Sequence, residues 1–159
     1  EAQRWDKAWE YCRMAGDRAL GIYANIEAAR FYERAVAAAG HLRQVSRAER
    51  ASAWRRLGTV RERVGAFGPA FAALRQATRL LADDPVARAE VHERRALVRV
   101  RVGAYPLALR EVALGSRLVQ SPDEPGAVRA RARLAALRGV RVSVVGGALA
   151  AVVLVSAVL

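Results

Sequence analysis

The sequence predicts an all-α solenoid of stacked helical hairpins, and three observations carry that expectation. A segment repeats: Arg63-Val64-Gly65-Ala66-Phe67 returns 38 residues later as Arg101-Val102-Gly103-Ala104-Tyr105. Beyond it Ala70, Leu74, Ala77 and Arg79-Leu80 correspond to Ala108, Val112, Gly115 and Arg117-Leu118. A period of this kind belongs to architectures in which no unit buries its apolar face alone and each depends on its neighbours. Small residues also recur where helices must approach: Gly58 and Ala70 lack bulk, Trp54, Phe67 and Leu74 fill the space around them, and Leu57 extends the copy backwards. Finally, Trp5, Ala8, Trp9, Cys12, Ala15, Ala19 and Ile22 fall at three-to-four spacing, the pattern of one helix face.

Residues 3–23 read as the first helix on that spacing. The second runs from about Ile26 to Ala39, with Asn25 as its N-cap, Ala28, Phe31, Tyr32, Ala35 and Val36 on one side, and Gly40 closing it. Tyr23 stands where the later hairpins have a corner glycine, so the first corner departs from the pattern. After the linker from Gly40, Ser46 caps a helix from Arg47 to Val64, and Glu49 three residues on completes a capping box. Gly65 ends that helix, because a left-handed residue satisfies the orphan carbonyls there and glycine adopts it without steric cost. Pro69 and Pro106 sit in the first turns of the partner helices, which run to Leu81 and from Tyr105 to Val119; a missing N–H costs nothing there. Asp83-Asp84-Pro85 opens the helix running to Val102, its acids at the positive end of the dipole. Residues 120–126, with two prolines and two acids, form a turn, and a helix from Ala127 to Leu137 opens a further unit. The repeat part is thus 1–136, with units near 5–40, 51–84 and 89–122 and a partial unit from 127.

The ladder from Trp54 and Leu57-Gly58 to Ala70 and Ala77, renewed around Gly103, Tyr105, Ala108, Val112 and Gly115, resembles that of the tetratricopeptide repeat. The resemblance implies a protein-interaction scaffold in which the first helix of each hairpin lines a concave peptide-binding groove. Its inward positions would be Ser52, Arg55, Thr59, Glu62 and Arg63 in one unit and Glu90, Glu93, Leu97, Val100 and Arg101 in the next. Arginines placed there would hold an acidic or carboxylate-ended peptide through paired N–H donors. The text Ala15-Gly16-Asp17-Arg18-Ala19-Leu20, then Tyr23-Ala24-Asn25, Ala28-Ala29 and Tyr32-Glu33-Arg34-Ala35-Val36, resembles the repeat region that follows the ATPase module in bacterial adenylate or guanylate cyclase fusions and related ATP-dependent regulators. That likeness implies a sensor arm of a larger bacterial signalling protein, or a non-catalytic fragment of such a fusion enzyme. None of the catalytic parts is in the chain: it has no phosphate-cradling glycine loop ending in Lys-Ser/Thr and no paired aspartates in a cyclase context.

Composition narrows the classes. At 159 residues with 53% hydrophobic content the chain suffices for one packed domain. It starts at Glu1 with Met14 as its sole methionine, which reads as a piece of a longer chain. A single cysteine, Cys12, excludes an intramolecular disulfide and a multi-thiolate metal site, and fits a reducing cytoplasm. The net charge of +12 would raise nucleic acid as a partner, but 26 arginines against one lysine is the bias a GC-rich genome writes into any surface. Without a zinc finger, stacking platform or recognition helix, nucleic-acid binding is not expected. His41 and His92 lack ligand-spaced partners, and no nucleophile has an activating neighbour, so neither cofactor, metal nor catalysis is expected.

The end of the chain breaks the pattern. From Val142 to Leu159 eighteen residues carry no charge, the lower limit for spanning a bilayer, and Arg138 and Arg141 precede them. Residues 138–159 therefore read as a hydrophobic tail: a transmembrane anchor tethering the scaffold, the product of a reading-frame slip after Ala136, or an ordinary buried helix.

Overall fold

A computed structural model of the chain describes residues 2–120, 124–138, 142–145 and 148–151. Its helices are α1 (Ala2–Gly21), α2 (Asn25–Gly40), α3 (Arg47–Arg63), α4 (Phe67–Leu80), α5 (Pro85–Arg101), α6 (Tyr105–Leu118) and α7 (Pro125–Arg138). Helices α1/α2, α3/α4 and α5/α6 pair as hairpins, and each hairpin's second helix packs on the first helix of the next: α2 on α3, α4 on α5, α6 on α7.

Three equivalent corners make the hairpins. The N–H groups of Tyr23, Gly65 and Gly103 donate to the carbonyls of Leu20, Glu62 and Val100, and those of Ala24, Ala66 and Ala104 donate to Ala19, Arg61 and Arg99. This is the Schellman pattern, which requires a left-handed residue at the corner. Gly65 and Gly103 have φ of 79° and 74°, and Tyr23 adopts 60°. The first corner therefore keeps the geometry of the others despite its tyrosine, which bears the steric cost that glycine avoids.

Helix starts divide into two kinds. Ser46 and Glu49 form the expected capping box, with Glu49 N–H donating to Ser46 Oγ at 3.2 Å and Ser46 N–H to the Glu49 carboxylate at 2.9 Å. Asp84 caps α5 by accepting from Ala87 N–H at 2.8 Å. Asn25 does not cap α2: it is the first helical residue, the cap position is Ala24, and its Oδ1 is buried without a partner. The cause lies in the corner. The residue that closes the Schellman motif also starts the next helix, as Ala66 and Ala104 do for α4 and α6, so no extended residue remains for a side-chain cap.

Close helix approach holds each hairpin together. A Cβ added at Gly58 would lie 2.7 Å from Leu74 Cγ and 3.3 Å from the Ala70 carbonyl oxygen, and one at Gly16 would lie 2.9 Å from the Tyr32 ring. Ala70, Leu74 and Ala77 of α4 are buried in one cluster with Val91 and Val98 of α5. The next boundary buries Ala89, Ala108, Val112 and Leu134 together. Complete burial of one such Val or Leu side chain contributes roughly 1.5–3 kcal/mol, so the stacked boundaries carry much of the stability.

The expected membrane anchor takes a different form where it is described. Val142–Val145 and Ala148–Ala151 are antiparallel strands β1 and β2, with Val142 opposite Ala151 and Val145 opposite Ala148. Among the described residues no helix is long and apolar enough to cross a membrane. Valine density favours the extended state, because branching at Cβ restricts the side chain in a helix and suits a pleated surface. The remainder of the 138–159 tail, and residues 121–123 of the expected turn, lie outside the described residues.

Candidate interaction site

The first helices of successive hairpins share one face, and ion pairs between them define it. Arg55 of α3 meets Glu90 of α5 at 2.5 Å, and Arg101 of α5 meets Glu62 of α3 at 3.0 Å. On α7, Arg133 reaches Glu93 at 3.6 Å and Glu90 at 4.0 Å. At the other end Arg56 of α3 pairs with Asp17 of α1, whose carboxylate also accepts from Tyr32 Oη at 2.5 Å. The expected groove positions Arg55, Glu62, Glu90, Glu93 and Arg101 are thus brought together, but mostly to bind one another.

That arrangement corrects the expectation of arginines held ready for a ligand. Arg55 and Arg101 are engaged across the unit boundary, and Glu62 is only 4% exposed. A buried carboxylate needs a partner, and Arg101 supplies it from the next unit. The Thr59 hydroxyl donates back to the Arg55 carbonyl at 3.1 Å, while Ser52, Leu97 and Val100 are half-buried. Val100 packs at the α5–α6–α7 boundary, beside a small cavity that Leu137 also lines. Arg63 is exposed and has no ion-pair partner among the described residues. Arg13 of α1, at the position equivalent to Arg55, is likewise exposed without one. Burial raises the Glu93 carboxyl above its ordinary range, against the opposing pull of Arg133 and Arg94.

One cluster was not anticipated. His92 and Glu111 are buried, with His92 Nδ1 2.8 Å from Glu111 Oε2. Arg95 and Arg99 approach the other carboxylate oxygen at 2.8 and 3.3 Å, and both guanidinium groups lie over the Phe71 ring of α4, 4.7 and 4.3 Å from its centroid. Burial alone would raise the Glu111 carboxyl, but the His92 hydrogen bond and the cations Arg95 and Arg99 outweigh it and hold it below its usual range. The signal was present in the repeat: His92, Arg95 and Glu111 occupy the positions of Trp54, Leu57 and Ala73. Three core positions turn polar together because each satisfies another. Cys12 lies buried in the first hairpin, where burial raises its thiol pKa against the pull of Arg34.

No family model and no curated protein sequence matches the chain. Among solved structures, it is similar to the TPR2B domain of yeast Sti1, seen in a complex with pHsp70, at 15% sequence identity and a TM-score of 0.62. The match covers 82% of this chain and 96% of that one. At that identity the likeness speaks for the backbone alone, and it establishes the fold: helical hairpins stacked as in a tetratricopeptide domain.

Proposed function

We propose that residues 1–136 form a protein-interaction scaffold whose first-helix face binds an acidic peptide segment, and that the chain contributes binding without chemistry. The observation that carries this reading is the uneven pairing of charge. The carboxylates Glu62, Glu90 and Glu93 are all matched to arginines, whereas Arg13 and Arg63 stand exposed without an ion-pair partner among the described residues. Glu49, which also forms the α3 capping box, lies close enough to Arg13 to feel its charge, and forms no ion pair with it among the described residues. Guanidinium groups offer paired donors that fit a carboxylate, and the half-buried Ser52 and Thr59 hydroxyls lie on the same helix as Arg63. The ligand region is therefore the α1–α3 half of the face. A place as the regulatory arm of a larger ATP-dependent bacterial regulator extends this reading and is supported by the sequence resemblance, which covers roughly residues 1–136 and is carried by the text between residues 15 and 36.

Fluorescence anisotropy with labelled Asp/Glu-rich and Lys/Arg-rich peptide pools at low and high salt tests it. The acidic pool should bind, lose affinity as salt rises, and bind less well to Arg13→Ala and Arg63→Ala. Equal binding of both pools, or unchanged binding by both variants, would refute the reading.

A further inference from the structure

The boundary between hairpins is built from the same repeat positions each time. Ala53 and Val60 of α3 and Val91 and Val98 of α5 hold equivalent places, and their exposures are 2%, 0%, 0% and 2%. The preceding hairpin covers them: Val60 clusters with Ala28 and Tyr32 of α2, and Val91 and Val98 with Ala70, Leu74 and Ala77 of α4. In α1 the equivalent residues are Tyr11 and Arg18. Tyr11 is 66% exposed and its neighbour Met14 58%. Tyr11 stands edge-on to Phe31 at 6.2 Å, and the two line an apolar cleft of about 400 Å³ that Met14 and Arg18 also border.

We propose that this outer face of α1 is a stacking surface for the second helix of another helical hairpin, continuing the interface already formed between successive units. The covering helix would present small, large and small residues at i, i+4 and i+7, as Ala28-Tyr32-Ala35 and Ala70-Leu74-Ala77 do. At the rim of the α2–α3 boundary this apolar contact is joined by an ion pair, where Arg61 of α3 meets Glu33 of α2 at 2.9 Å. A second copy of the chain cannot supply the helix, because α2, α4 and α6 are each covered by α3, α5 and α7. The occupant is therefore a hairpin from outside this array, and the surface is distinct from the peptide-binding face.

The test extends the full chain by duplicating residues 5–46 in tandem, so that the α2 of the added copy reaches the original α1. Arg18 of the original copy is replaced by the valine found at its equivalents, and melting is followed by circular dichroism. Arg18→Val should shift the midpoint of the unextended chain little and raise that of the tandem by several degrees, since only there does it meet a covering helix. Equal shifts in both contexts, or a tandem that melts below the unextended chain, would overturn the proposal. Sedimentation velocity of the unmodified chain across micromolar concentrations should show a monomer. A dimer abolished by Tyr11→Glu would instead assign the face to a second copy and overturn it equally.

Discussion

Glu111 shows how one side chain can depend on its whole surrounding. Removing a member of a buried ionic cluster leaves the others uncompensated, so Glu111→Ala should cost about 3 kcal/mol, read from chemical denaturation at neutral pH. The carboxyl is held below its usual range in the fold, so its contribution is complete above the ordinary carboxylate pKa and disappears as pH falls through the lowered value. The melting midpoint should accordingly drop as pH moves from about 5 toward 3, and Glu111→Gln should flatten that drop. Glu93 has the opposite sign: its raised value adds stability only at low pH and is lost as pH rises through it. Two glycines provide a sterically opposed pair. Gly58→Ala drives a methyl group into Leu74 and the Ala70 carbonyl and should cost about 1–3 kcal/mol. Gly21→Ala at the end of α1, where no left-handed φ is required and no proline follows, meets open space and should add up to about 1 kcal/mol. A thermal melt of each variant checks both signs.

At the level of elements, the corners matter most. All three use the same pair of hydrogen bonds, so their difference in cost lies in the corner residue. Tyr23 holds a left-handed φ and is 80% exposed, which gives it little packing to offset the strain. Tyr23→Gly should therefore stabilise the first hairpin by about 1 kcal/mol, the penalty of a side chain in that region less the extra entropy of an unfolded glycine. A midpoint that falls instead would mean that the tyrosine ring holds the corner in place. The helix starts differ for the same geometric reason. Where a loop precedes the helix, as at Ser46 and Asp84, a polar side chain reaches back to an N–H; where a corner runs straight into the helix, alanine suffices.

Across the whole molecule, the units are joined by charge as well as by apolar packing, and equivalent arginines do different work. Arg63 and Arg101 occupy the same repeat position, yet only Arg101 neutralises a buried carboxylate. Arg101→Ala should cost about 1–3 kcal/mol through the stranded Glu62. Arg63→Ala should leave stability within about 0.5 kcal/mol while weakening peptide binding. Paired denaturation and anisotropy measurements separate the two. Loss of stability in both variants alike would mean that Arg63 also has a structural partner.

The hairpin register, the stacking order and most helix starts were legible in the chain, because they depend on local chemistry that residue type reveals. A glycine tolerates the left-handed corner, a serine with a glutamate three residues on satisfies two N–H groups, and the small residues at Gly58 and Ala70 permit close helices. The same spacing put the candidate groove residues within two helices, and they lie in α3 and α5. Which of their charges remain open to a ligand was decided only in three dimensions, since Arg55 and Arg101 are engaged by carboxylates of neighbouring units at distances that spacing along the chain does not encode. The same is true of Asn25, displaced as a cap by its corner, and of Val142 and its neighbours, whose uncharged run suits a helix in lipid and a strand pair elsewhere. Local conformation follows from each residue's own sterics and hydrogen-bonding capacity, whereas pairing and burial follow from what the rest of the fold sets beside it.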